Sequence, residues 1–178
     1  MLFTETTLAG AYVIAPERQA DERGFFARTF CADAFAERGL ATDFPQCNIS
    51  FNAERGTLRG MHYQEPPHAE AKLVRCTMGA IHDVIVDLRP DSPTFTQWVA
   101  AELSAENRRM LYIPEGLAHG FLTLTDSSEV FYQISRRYDR ASARGVRYDD
   151  PAFGIDWPGP IKVISERDRN WPGLEGLA

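Results

Sequence analysis

Ile81-His82-Asp83-Val84-Ile85-Val86-Asp87-Leu88 is the stretch that decides the fold class. It contains no glycine or proline and is rich in β-branched side chains, so it reads as a strand. Alternation puts His82, Val84, Val86 and Leu88 on one face and Asp83 and Asp87 on the other. Working outward, shorter runs of the same kind follow on both sides. Tyr12 to Ile14, Phe25 to Phe30, Gln46 to Phe51 and Leu73 to Thr77 precede it. Thr96 to Leu103, Arg109 to Ile113, Gly120 to Thr125 and Val130 to Ser135 come after. Turn signals separate them at Asp21-Glu22-Arg23-Gly24, Arg89-Pro90-Asp91-Ser92-Pro93, Pro114-Glu115-Gly116 and Thr125-Asp126-Ser127. One short helix is expected over Asp33 to Arg38, with Gly39 as its C-terminal cap. Many short strands at this spacing predict an all-β sandwich or barrel. The proline- and tryptophan-rich stretch from Asp149 onward is expected to pack across its outside.

The chain has 178 residues, enough for one domain with a sizeable core, and no repeat or linker divides it. Asp and Glu outnumber Lys and Arg by 25 to 19, a formal charge of −6, which disfavours nucleic acid and anionic membrane as partners. An anionic ligand would need a local cluster of cations. Three cysteines, Cys31, Cys47 and Cys76, form no disulfide framework and no zinc spacing. A reducing cytoplasm is the expected compartment. No secretory signal and no membrane-spanning apolar run is read in the sequence.

Two segments carry the chemistry. Leu58-Arg59-Gly60-Met61-His62-Tyr63-Gln64 leads to Lys72, and Pro114-Glu115-Gly116-Leu117-Ala118-His119-Gly120-Phe121 leads to Tyr132. They supply a base that titrates near neutrality, a cation, a second imidazole and a phenol, a set suited to proton abstraction beside a carbonyl. Odd spacing would put Arg59 and His62 on opposite strand faces unless Gly60 alters the local backbone. No Gly-x-Ser-x-Gly elbow points to a covalent nucleophile. Pro114-x-Gly116-x-x-His119 resembles the second motif of the cupin superfamily, but the first motif reads His62-Tyr63-Gln64 and lacks the second histidine of a metal-binding cupin. No metal and no cofactor are expected. His68 is read as solvent-facing, His82 as structural, and Asp83 as a subsidiary candidate.

The ordered segments together resemble the dTDP-4-dehydrorhamnose 3,5-epimerase family. The likeness runs from Asp21-x-Arg23-Gly24-x-Phe26 through Gln46-x-Asn48-x-Ser50 and Gly56-x-Leu58-Arg59-Gly60-Met61-His62-x-Gln64. It continues through Lys72-x-Val74-Arg75, Ile113-Pro114-x-Gly116-x-Ala118-His119-Gly120-Phe121, Tyr132 and Ser165-x-x-Asp168. The resemblance implies a cupin-type jelly-roll β-barrel or sandwich with a few short peripheral helices. It implies a substrate that is a nucleotide-linked 4-keto-6-deoxyhexose, whose C3 and C5 protons both lie beside the C4 ketone. His62 matches the base, Asp168 its carboxylate partner, Lys72 the cation at the C4 oxygen and Tyr132 the acid on the opposite face. Gln46, Asn48, Arg59, His119, Tyr138 and Arg167 are the expected substrate contacts within the subunit. Arg23 and Phe26 match residues that reach a neighbouring subunit's site, which implies a homodimer.

Three positions depart from the family pattern, each by loss of an acid: Arg28, Cys47 and Ala143. All are expected near the nucleotide, with Arg28 a candidate contact. Thymine offers an N3–H donor and wants an acceptor, whereas cytosine offers an N3 acceptor and suits arginine. A CDP-sugar is therefore an alternative substrate, and single-centre epimerisation at C3 or C5 an alternative outcome. A nucleotide-sugar-binding cupin without catalysis is a further one.

Overall fold

The computed structural model describes residues 1–177. It is built from strands β1 (Leu2–Glu5), β2 (Tyr12–Ala15), β3 (Gln19–Asp21), β4 (Gly24–Phe26), β5 (Gln46–Asn52), β6 (Thr57–Gln64) and β7 (Lys72–Met78). The series continues with β8 (Ala80–Asp87), β9 (Trp98–Ser104), β10 (Met110–Ile113), β11 (Leu117–Thr123), β12 (Ser128–Ile134), β13 (Ala143–Gly145) and β14 (Val163–Ile164). Two short helices, α1 (Ala32–Ala36) and α2 (Glu166–Arg169), and a 3-10 turn near the end complete it.

Two sheets face each other in a cupin-like β fold. One has the order β1-β2-β10-β7-β12-β5, the other β13-β6-β11-β8-β9, with β14 added in parallel to β6. Strands β3 and β4 form a separate hairpin. Between the sheets, Val74, Leu111, Ile113 and Val130 from the first meet Ile81, Ile85, Leu103 and Phe121 from the second. Two further clusters clothe the outer faces. Phe35 of α1 joins Ile14, Leu73, Met110 and Tyr112 outside the first sheet, and Phe153 joins Met61, Val84 and Val86 outside the second.

Covering both outer faces explains why β8 departs from simple alternation. The side bearing Val84 and Val86 faces the C-terminal segment, while the side bearing Asp83 points into the barrel with Ile81 and Ile85. Both sides are buried, so hydropathy alone could not say which was inside. Strand β4 stops at Phe26, short of the expected Phe30, because Phe30 leaves the hairpin to pack edge-on against Phe35 and Phe44. The C-terminal segment does cross the outside through Phe153 and Trp157. It then returns along β6 as β14 and α2, so α2 is a site element and not merely a peripheral one.

Candidate active site

Gly60 is the local feature that organises the site. In the β6–β11 ladder His62 pairs with His119, but Arg59 pairs with Phe121, so β6 carries one extra residue between them. This bulge brings Arg59 and His62, three apart, to the same cavity. Gly60 has φ +133, and a Cβ there would lie 2.5 Å from the Gly120 Cα. Only glycine permits that backbone conformation and that approach.

The cavity has a volume of about 550 Å³ and is open to solvent. His62 and Arg59 on β6 and His119 on β11 line it from one sheet, and Lys72 on β7, Tyr132 on β12 and Gln46 and Asn48 on β5 line it from the other. Tyr138 and Arg167 also contribute to its wall. Gln46, Asn48, Arg59, His119, Tyr138 and Arg167 are therefore brought to one place, whereas Arg28, also expected as a contact, is not.

His62 Nε2 lies 2.6 Å from Asp168 Oδ1. An ionised carboxylate can only accept, so Nε2 carries the hydrogen, and in the neutral imidazole the lone pair is on Nδ1. Asp168 also accepts from Trp171 Nε1 at 3.2 Å and from the Gly60 backbone N–H at 3.3 Å. Burial works against its charge, but the bond from His62 and the other donors outweigh it, and its carboxyl lies below the usual carboxylate range. Ser165 caps α2 by accepting from the Asp168 N–H, which fixes the aspartate backbone.

His119 forms a second imidazole–carboxylate pair, with Nε2 2.7 Å from Asp83 Oδ1. Asp83 is fully buried, and its role as the anchor of His119 was legible in the sequence only as an acid facing away from Val84. Burial pushes the Tyr132 phenol above its ordinary value, Arg59 pulls it back, and the charge of Glu70 adds to the rise. The phenol is thus protonated at neutral pH. Arg59 is oriented by Asn52 Oδ1 at 2.7 Å, and Gln46 joins Asn48 to the backbone of Tyr138.

Arg23, Phe26 and Arg28 do not line this cavity. Arg23 projects from the tip of the β3–β4 hairpin and pairs with Asp21, Phe26 is 70% exposed, and Arg28 approaches Cys31. Of the three departures from the family pattern, Ala143 alone lines the cavity; Cys47 sits on the exposed outer side of β5. Glu70, Tyr63, Arg144 and Trp171 were not foreseen as site residues. Trp171 packs on Gly145, where a Cβ would lie 2.4 Å from the indole ring, a contact that exists only in the folded chain. Among the described residues no group of three His, Cys, Asp or Glu is arranged to hold a metal ion.

The family model for dTDP-4-dehydrorhamnose 3,5-epimerase matches residues 5–176. This chain belongs to the dTDP-4-dehydrorhamnose 3,5-epimerase family. Within that epimerase family, an enzyme of the same name from Methanothermobacter thermautotrophicus is 48% identical over 176 residues, covering 97% of this chain and 94% of the relative. The crystal structure of the Elizabethkingia anophelis dTDP-4-dehydrorhamnose 3,5-epimerase superposes with a TM-score of 0.96 at 40% identity, covering 99% of this chain and 97% of that one. A dTDP-6-deoxy-D-glucose 3,5-epimerase from Legionella pneumophila, solved in complex with dTDP-4-keto-L-rhamnose, gives 0.92 at 37% identity, covering 99% and 94%.

Proposed function

We propose that this protein inverts C3 and C5 of a dTDP-linked 4-keto-6-deoxyhexose through enolate intermediates. The observation that carries the reading is the arrangement of two proton-transfer groups. The His62 imidazole, held by Asp168, and the protonated Tyr132 phenol line one cavity from opposite sheets.

His62 Nδ1 takes the proton from a carbon beside the ketone, and the electron pair moves onto the C4 oxygen. Lys72, itself buried, stabilises that developing oxyanion, the kind of charge stabilisation that supplies much of a catalytic effect. Asp168 stabilises the imidazolium that forms. Tyr132 then returns a proton to the opposite face, the C4 carbonyl reforms, and the centre is inverted. Solvent restores both groups. Arg59 and Arg167 hold the diphosphate, a role that suits the forked guanidinium. Gln46, Asn48, His119 and Tyr138 contact the remainder of the substrate.

A homodimer belongs to the same proposal. On edge strand β5, Ile49 is 63% and Phe51 53% exposed; both also line the cavity, beside an edge that no other strand covers in the described residues. Such an apolar edge calls for a partner. A second copy would bury it and bring Arg23 and Phe26 toward the other cavity. Among the described residues no helix is long and apolar enough to cross a membrane.

The test is isotope exchange. In heavy water the wild-type protein should wash deuterium into C3 and C5 of a dTDP-4-keto-6-deoxyhexose, with each position read separately by NMR. His62→Asn should abolish exchange. Tyr132→Phe should leave exchange but lose inversion. Absence of exchange in the wild type would overturn the epimerase reading, and exchange at one carbon only would replace it with single-centre epimerisation. Faster turnover of the matched CDP-sugar would reassign the nucleotide.

A further inference from the structure

Glu70 is the single carboxylate among the described residues that line the cavity, set against Arg59, Lys72, Arg144 and Arg167. A site built for a diphosphate gains nothing from an added negative charge. Glu70 is moreover almost completely buried, with 5% of its side chain exposed, and its Oε2 has no hydrogen-bond partner among the described residues. Burying an acid with one oxygen unpaired is costly, and an apolar side chain would fill the space without that cost. The acid therefore needs a reason connected with its one partner.

That partner is Lys72. The ammonium pairs with Glu70 Oε1 at 3.2 Å and donates to the His62 carbonyl oxygen at 3.1 Å. An ammonium has three N–H donors: one is spent on the His62 carbonyl, the charge of Glu70 draws the group toward the wall, and donors remain for the cavity. The His62 carbonyl tether also locks the cation to the strand that carries the base. We propose that Glu70 is a positioning residue for the epimerisation: through its ion pair it holds Lys72 so that a free ammonium proton points at the C4 oxygen of the bound ketose. The proposal rests on the epimerase reading above.

A second effect follows from the same charge. The Tyr132 phenol is faced by Arg59 and His62 from β6, His119 from β11, Lys72 from β7 and Arg167 from α2, all cationic or able to become so. Glu70 opposes them and favours the protonated phenol, the form that donates.

Glu70→Gln keeps an acceptor for Lys72 and removes the charge, while Glu70→Ala removes both. With a dTDP-4-keto-6-deoxyhexose as substrate, Glu70→Ala should lose about 100-fold in kcat at little changed KM, the scale expected when a catalytic group is misplaced by about 1 Å. Glu70→Gln should lose less, and the alkaline limb of its kcat–pH profile should move to lower pH. Far-UV circular dichroism and dTDP binding establish that each variant keeps its fold and cavity; if Glu70→Ala does not fold, Glu70→Gln decides. Wild-type kcat in the folded variants, or a lower kcat in Glu70→Gln with an unmoved alkaline limb, would overturn the proposal. A wild-type protein without deuterium exchange would instead overturn the epimerase reading.

Discussion

Replacing Asp168 by asparagine isolates the electrostatic part of the proposed base. The side chain keeps its size, but three donors now compete for one oxygen. In the native site His62 Nε2 and Trp171 Nε1 converge on Oδ1 at 2.6 and 3.2 Å, and the Gly60 N–H reaches Oδ2 at 3.3 Å. If the amide oxygen takes the Oδ1 position, its NH2 confronts the Gly60 N–H. If it flips, the NH2 confronts Trp171 and forces the hydrogen of His62 onto Nδ1, the nitrogen needed as base. In both orientations the imidazolium loses its counter-charge. A carboxylate-to-amide change of this kind in a His–Asp pair lowers kcat by about 10⁴-fold, and a loss on the order of 10³ to 10⁴ is expected here, with KM little changed. The assay is deuterium wash-in at C3 and C5 under saturating substrate, alongside thermal unfolding to verify the fold. A folded Asp168→Asn protein with kcat within about tenfold of wild type would refute the assignment, since the counter-charge would then supply less than about 1.4 kcal/mol.

Two further expectations concern the frame around the site. Gly145→Ala should push Trp171 off its seat, because the new Cβ would lie 2.4 Å from the ring; overpacking of this kind costs about 1–3 kcal/mol, and kcat should fall with it through the loosened Asp168, as urea unfolding and turnover would reveal. Asp87 is fully buried and accepts from Arg89, Ser92 and Thr94, and although burial opposes its charge these donors hold its carboxyl far below the usual range. Its folded-state pKa is depressed, so its contribution is complete above the unfolded-state value and is lost as pH falls toward the folded one. Asp87→Asn should therefore lower stability at neutral pH by about 3 kcal/mol and flatten the acid side of the stability–pH curve; an unchanged curve would remove this account of the turn.

What the amino-acid sequence determined by itself were the features whose causes are local. Period-two alternation and turn chemistry marked most strands, because side-chain direction along a strand depends on immediate neighbours. Motif spacing singled out His62, Lys72, His119 and Tyr132, and the structure gathers them at one cavity. The tertiary structure decided which side of β8 was inside, since the opposite sheet covered one and the C-terminal segment the other. It also decided the pairings: Asp168 reaches His62 across 106 positions, and Asp83 reaches His119 across 36. The backbone bulge at Gly60 turned an apparent mismatch of faces between Arg59 and His62 into a shared one. Glu70 gave no local signal at all, for its meaning lies in being the one carboxylate among the described residues lining a cationic cavity, and such a property exists only once distant strands have closed around it.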